Sequence, residues 1–320
     1  MLKTVFINLL KLSVAAGLIW WLLSSGKLDF KLLAQLRNYP LEVFCAVGLS
    51  VFNIVLISYR WKSILKARST AVIPLQGVVK INWIGQFFSS VLPGSVSGDL
   101  VKILYVQKFD ENFSKKFVFI SILIDRVMGL SGLILLVGIS SAVFSGHILE
   151  NAPAMKPLLD FNTILVGIVI MSLILFTFFH HWIRKIFVKA ESIFMPSVWQ
   201  KIIGLWDDLV LIRSQMIKAV AISLLVQFVA VLVFWSLIHP YVSGHMDFIQ
   251  SLAFIPIGNM TLALPVAPSG LGVGHAIFQK LFEFSGIHNG ASLFNLYFVV
   301  TLVVNVMGFI PYLLTKSRTN

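Results

Sequence analysis

"SSVLPGSVSGD", residues 89–99, halts an apolar run with a proline and two glycines and then places an acid. The skeleton returns in "TLALPVAPSGLGVGH", residues 261–275, where Leu264-Pro265 and Ser269-Gly270 repeat Leu92-Pro93 and Ser97-Gly98 at an offset of 172. Proline and glycine free backbone N–H and C=O groups that hydrocarbon cannot satisfy, so each break must face protein or water. An ordinary helix kink is the competing reading of either break taken alone. Together they suggest that each half of the chain contributes one broken helix to a shared cavity.

Composition supplies the setting for that reading. The chain has 320 residues, 58% of them hydrophobic and 12% charged, with a mean hydropathy of +0.92, well outside the range of soluble domains. An all-α polytopic membrane protein is expected, forming one transmembrane domain over 1–320. The net charge of +12 does not point to nucleic acid, because the basic residues cluster between apolar runs, where they set topology and meet anionic headgroups. Cys45 is the single cysteine and lies in an apolar run, so neither an internal disulfide nor a thiolate metal cage is expected. Lys3 precedes an apolar stretch without a small-x-small cleavage site, which reads as a retained span.

Six apolar runs approach the twenty or so residues that a bilayer requires, at 5–24, 41–59, 117–144, 162–180, 217–238 and 292–315. Two shorter runs, 76–92 and 248–264, carry polar residues and end in the repeated motif. If both are re-entrant segments or hairpins, seventeen Lys and Arg fall on one side of the membrane against five on the other, with Lys11, Lys80 and Arg126 at membrane depth. That bias obeys the positive-inside rule and places both termini in the cytoplasm, in the cytoplasmic (inner) membrane. A shallow dip and a full helical hairpin satisfy the same parity. The halves, 1–146 and 160–320, then start on opposite sides, as in an inverted-topology repeat whose broken helices meet near the midplane. Ser97 to Phe109 and Trp182 to Arg213 mix apolar and basic residues and read as interfacial helices on the cytoplasmic face.

Several polar residues stand out against this apolar background. Asp99 and Lys102 follow the first break by one turn: they cap and pair with each other, or they present a helix N-terminus and a cation to a phosphate. Asp125 and Arg126 fall near mid-span, where an unpartnered charge costs at least ~2.5 kcal/mol. Adjacent helical residues diverge by roughly 100°, so each needs its own partner; Asp99 is the candidate for Arg126 and Lys80 for Asp125, and a packing network is the structural alternative. Asn82, Gln86 and Ser90 share one helical face near Lys80 and line a cavity or join helices. His275 opens the helix after the second break, either as a titrating group or as a packed ring.

Enzyme signatures fail. "GSVSG" has Val96 where a nucleophile elbow needs serine, "GLGVG" is not a dinucleotide fingerprint, and the adjacent pairs His180/His181 and Asp207/Asp208 give no ligand face. No catalytic residues, metal or cofactor are expected.

Taken in order, "YRWKSIL" (Tyr59 to Leu65), "LPGSVSGDLVK" (from Leu92), "DRVMGL" (Asp125 to Leu130) and "LPVAPSGLGVGH" (from Leu264) resemble the flippase-like transmembrane domain of bacterial lysylphosphatidylglycerol synthases and its stand-alone relatives. The resemblance covers most of the chain. Pro93, Gly98, Asp99 and Arg126 match the family pattern, as do Pro268, Gly270 and Gly272 in the later turn, while Pro265 belongs to its Leu-Pro opening. Lys102 replaces the usual arginine, Ser97 a usual glycine, and His275 a usual acid, which puts a carboxylate-dependent step at that position in doubt.

The resemblance implies handling or translocation of an anionic phospholipid or a polyprenyl-phosphate-linked headgroup. It also implies a separate glycosyltransferase or aminoacyltransferase as partner, because these 320 residues leave no room for the soluble transfer domain. Residues expected to meet the lipid are Lys80, Asn82, Gln86, Ser90, Asp99, Lys102, Asp125, Arg126 and His275. A membrane-embedded headgroup or sugar transferase, or the non-catalytic partner of one, is the alternative.

Overall fold

A computed structural model describes residues 30–69, 71–91, 97–107, 109–110, 113–191, 196–262 and 273–314. Among these residues the regular elements are all helical. In chain order they are α1 (Phe30–Gln35), α2 (Pro40–Leu65), α3 (Leu75–Val91), α4 (Ser97–Val106), α5 (Lys115–Asn151), α6 (Lys156–Phe178), α7 (His180–Glu191), α8 (Pro196–Val242), α9 (Phe248–Leu262), α10 (Val273–Glu283), α11 (Gly290–Val306) and α12 (Phe309–Leu314), with short 3-10 turns at Leu36–Asn38 and Pro153–Met155.

Five helical stretches are long and apolar enough to span a bilayer: Pro40–Leu65, Lys115–Asn151, Pro153–Phe178, Val198–Val242 and Gly290–Leu314. They cover five of the six runs read from sequence; the run at 5–24 lies outside the described residues. In hydrocarbon every backbone donor must bond within the segment, and a helix does this alone. The protein is therefore an all-α, multi-pass membrane protein. Local signals set helix starts where the chain can use them. Pro40 stands at the opening of α2, where its missing N–H is harmless, and the Ser114 hydroxyl accepts from Phe117 N at 3.1 Å to cap α5.

Cross-helix contacts fix the directions of the helices. Tyr39, just before α2, meets Tyr241 of α8 with ring centroids 5.5 Å apart, Arg60 of α2 meets Ser223 at 2.9 Å, and Arg68, just after α2, meets Asp208 at 2.9 Å, so the two helices run antiparallel. α5 runs parallel to α8, since Lys116 also reaches Asp208 at 3.1 Å and Gln227 Nε2 donates to Gly129 O at 3.0 Å. The far end of α5 meets the start of α9, where His147 joins Asp247. One end of the bundle thus holds Tyr39, His147 and Asp247, and the other holds Arg68, Lys116 and Asp208. The second end also carries α7, whose Arg184 binds Asp207 at 2.8 Å. Lys62, Lys66, Lys115, Lys185 and Lys218 lie toward it, while Arg37, Lys156 and Lys280 lie toward the opposite end.

The described arms of each interrupted segment are two helices packed antiparallel. In the first pair Ser97 Oγ donates to Phe88 O at 3.1 Å, Gly98 abuts Gly85 and Ser89, and Gly77 abuts Phe109. In the second, Gly258 abuts the Phe278 ring and Gly274 abuts Leu262. The turns themselves, with Pro93, Pro265, Pro268, Gly270 and Gly272, lie outside the described residues. α4 is the return arm of the first pair, with Gly98, Asp99 and Val106 buried. This corrects the expectation that Ser97 to Phe109 rests on the membrane surface; three buried residues on one face demand a protein neighbour.

α11 touches both pairs and measures their separation. Phe294 packs on Gly274 and on the His275 ring, next to the second turn, whereas Asn305 donates to Ser90 Oγ at 3.0 Å, next to the first. Eleven residues of helix separate these contacts, about 16 Å along the axis. The pairs approach from opposite ends. Gly290 at the start of α11 meets Phe282 near the open end of the second pair, while Leu314 at the end of α12 lines one groove with Leu75 at the open end of the first.

Candidate functional site at the first helix pair

The site begins with a close backbone approach. A Cβ on Gly98 would fall 2.0 Å from Gly85 O and 2.3 Å from Ser89 Oγ, so only glycine lets α4 lie this near α3. Gly85 in turn admits the methylene stem of Lys102, whose Cε lies 2.9 Å from where a Gly85 Cβ would stand. Asp99 is consequently held in the first turn of α4 against α5 and is 7% exposed. Arg126 Nη2 reaches Asp99 Oδ2 at 2.5 Å, and Lys102 Nζ lies 3.6 Å from Oδ1. The Lys102 ammonium also sits 5.5 Å over the Trp61 ring, whose Nε1 donates to Ser121 Oγ at 3.1 Å.

Arg126 is the unusual member. Its side chain is 43% exposed, eleven residues into α5 and hence about 16 Å from the start of that helix. Its surroundings on α5 are the exposed Leu123, Val127 and Leu130, with Leu100 and Leu104 exposed on α4. A half-exposed guanidinium at this depth, on an apolar face, is a costly placement that a purely structural ion pair would avoid by full burial.

Next to it lies a second, closed pair. Arg60 donates from Nε and Nη2 to Asp125 Oδ1 and Oδ2 at 2.7 and 3.0 Å, and from Nη1 to Ser223 Oγ at 2.9 Å. The two residues are 4% and 7% exposed, and they tie α2, α5 and α8 together. This corrects the expectation that Asp125 pairs with Lys80: the planar fork of Arg60 engages both carboxylate oxygens, as a lysine ammonium cannot. Over both pairs three cations, Arg60, Lys102 and Arg126, face two carboxylates, leaving one surplus positive charge in the cluster.

The remaining candidates disperse. Asn82 Nδ2 donates to Ser58 Oγ at 3.0 Å, which itself donates to Ile54 O at 2.7 Å, and Ser90 accepts from Asn305. Both residues join helices. Gln86, half-buried, lies one turn beyond Asn82. Lys80 lines a groove between α2, α3 and α12, on a different flank of α3 from Gly85 and Lys102, so the three cations Lys80, Lys102 and Arg126 do not form one phosphate site. His275 stands edge-on to Phe294, with ring centroids 4.9 Å apart, and 6.2 Å from Phe298. It belongs to the aromatic packing of the second pair, where Phe234 stacks on Phe278 at 4.9 Å. Among the described residues no three His, Cys, Asp or Glu side chains are grouped to hold a metal ion.

Sequence reasoning missed Arg60, Trp61 and Ser223. The sequence counts Arg60 among the seventeen basic residues on the cytoplasmic side, because the apolar run ends one residue before it. The available signal was the continuation "RWKSIL", which carries the helix on to Leu65.

Residues 8–313 match the family model described as lysylphosphatidylglycerol synthase TM region. The chain belongs to this family. A UPF0104 membrane protein from Pyrococcus horikoshii is 19% identical over 332 residues, covering 98% of this chain and 95% of the relative. No solved structure matches. Membership gives this membrane domain a lipid-related setting, and the family model spans all three members of the Asp99, Lys102 and Arg126 cluster.

Proposed function

We propose that the protein translocates an anionic lipid headgroup, carried on a phospholipid or a polyprenyl phosphate, across the cytoplasmic membrane. The observation that carries this reading is Arg126, half-exposed about 16 Å along α5 among outward-facing leucines while tethered to buried Asp99. A lipid phosphate arriving laterally between α4 and α5 exchanges with Asp99 for the guanidinium, and Lys102 supplies the second cation. Charge-assisted, bidentate contacts to arginine suit phosphate, and the surplus positive charge suits a monoanion.

On this reading residues 1–146 and 160–320 are inverted halves. Their helix pairs insert from opposite leaflets, and rearrangement of the pairs moves the headgroup between sides. The basic end of the bundle faces the cytoplasm. The second pair, packed by phenylalanines, acts as the apolar gate opposite the charged one.

The test is headgroup translocation in proteoliposomes with labelled phosphatidylglycerol and labelled polyprenyl phosphate. Arg126→Ala reduces the rate at least about tenfold, the value of one lost charge-assisted hydrogen bond, while Lys115→Ala on the exposed start of the same helix leaves it unchanged. Rates no faster than in protein-free vesicles for both lipids, or equal rates for the two variants, overturn the proposal.

A further inference from the structure

Lys80, left out of the charged cluster, lines a groove of its own. The groove has a volume of about 480 Å³, inside the roughly 300–1,000 Å³ range of small-molecule sites. Val55 of α2, Val79, Lys80 and Trp83 of α3, and Ile310 and Leu314 of α12 form its walls, and among the described residues no carboxylate lines it. Val79, Lys80 and Trp83 follow helical spacing and so share one face of α3. Trp83 is fixed there by donating Nε1 to Val304 O at 2.8 Å, which gives the groove a rigid wall.

Depth defines what fits. Lys80 lies five residues beyond Leu75, about 8 Å along α3 from the basic end of the bundle. With the basic end facing the cytoplasm, as proposed above, an ammonium at that depth meets the phosphate level of the cytoplasmic leaflet, while Val55 and Trp83 line the groove deeper in. A soluble anion would leave those walls unfilled, and a neutral hydrocarbon would leave the ammonium without a counter-charge.

We infer that this groove between α2, α3 and α12 is a lipid-binding site separate from the Asp99 and Arg126 cluster, taking one acyl chain of an anionic glycerophospholipid with its phosphate on Lys80. A lipid seated here braces the outer flank of α3, the longer arm of the first helix pair. It therefore favours one placement of that pair from outside the translocation path.

The test uses the full chain in phosphatidylcholine vesicles containing a small fraction of photoactivatable phosphatidylglycerol or, separately, photoactivatable phosphatidylcholine with identical chains. After illumination, adducts are mapped by mass spectrometry. The expected result is labelling of the Val79 to Trp83 and Ile310 to Leu314 segments about tenfold stronger with the anionic probe, as one charge-assisted contact implies. Lys80→Gln brings labelling down to the phosphatidylcholine level, Lys80→Arg restores it, and Arg126→Ala leaves it intact. Equal labelling by the two probes, labelling that persists in Lys80→Gln, or no adduct on these segments overturns the inference. Selective labelling without headgroup translocation would uphold this site while removing the proposed transport.

Discussion

Removing Arg60 tests whether the closed ion pair is a packing device. Arg60→Leu deletes two direct bonds to Asp125, of 2.7 and 3.0 Å, and one to Ser223, leaving a carboxylate that is 7% exposed among helices. Two charge-assisted bonds at about 1.5–3 kcal/mol each and the usual penalty of about 3–5 kcal/mol for breaking a buried pair bracket the same loss. Asp125→Leu strands the guanidinium and costs a similar amount. The double variant Arg60→Leu/Asp125→Leu removes both ions together, and its stability returns to within about 1 kcal/mol of the parent or exceeds it. Reversible unfolding in mixed micelles, followed by tryptophan fluorescence, measures all four states; Trp61 adjoins the site and reports on it. If the double variant loses the sum of the single losses, the pair is not coupled as the geometry requires and the reasoning fails. Headgroup translocation at near-parental rate in the double variant would further separate this pair from Arg126, whose loss is expected to reduce transport at least about tenfold.

Three other outcomes follow from the packing and hydrogen bonds of the helices. Gly98→Ala drives a methyl group to 2.0 Å from Gly85 O, so α3 and α4 separate; overpacking of about 1–3 kcal/mol appears as a lowered unfolding midpoint, together with weakened headgroup transport as Asp99 shifts from Arg126. Asp247→Ala deletes the side-chain half of the cap, in which Gln250 N donates to Asp247 Oδ1 at 2.8 Å, together with the pairing to His147; the cap's share, about 0.5–2 kcal/mol, is seen as faster amide exchange in the first turn of α9. His180, at the start of α7 beyond the span, has its pKa held below 6.5 by burial, the Arg213 guanidinium and His181. The folded chain resists a proton that the unfolded chain accepts. The contribution is thus complete above 6.5 and declines as pH falls below it, which hydrogen exchange of α7 between pH 7.5 and pH 5 is expected to show, with His180→Phe flattening the profile.

Hydrophobic run length alone determined that this chain crosses a membrane repeatedly as helices, because a helix is the element that satisfies its own backbone in hydrocarbon. The Pro and Gly punctuation marked both interrupted segments for the same reason, and the charges within an apolar run marked Asp125 and Arg126 as needing partners, with Asp99 the candidate for Arg126. Which partners they took was decided only in three dimensions. A rotation of roughly 100° per residue sends neighbours to different helices, so Asp125 found Arg60, sixty-five positions away, while Arg126 found Asp99. The same rotation turned Lys80 away from Lys102 into a groove with α12, and the packing of Phe294 enclosed His275 in an aromatic layer. Sequence lists the charges a membrane protein must neutralise; the crossing of helices at Gly85 and Gly98 chooses which charge meets which.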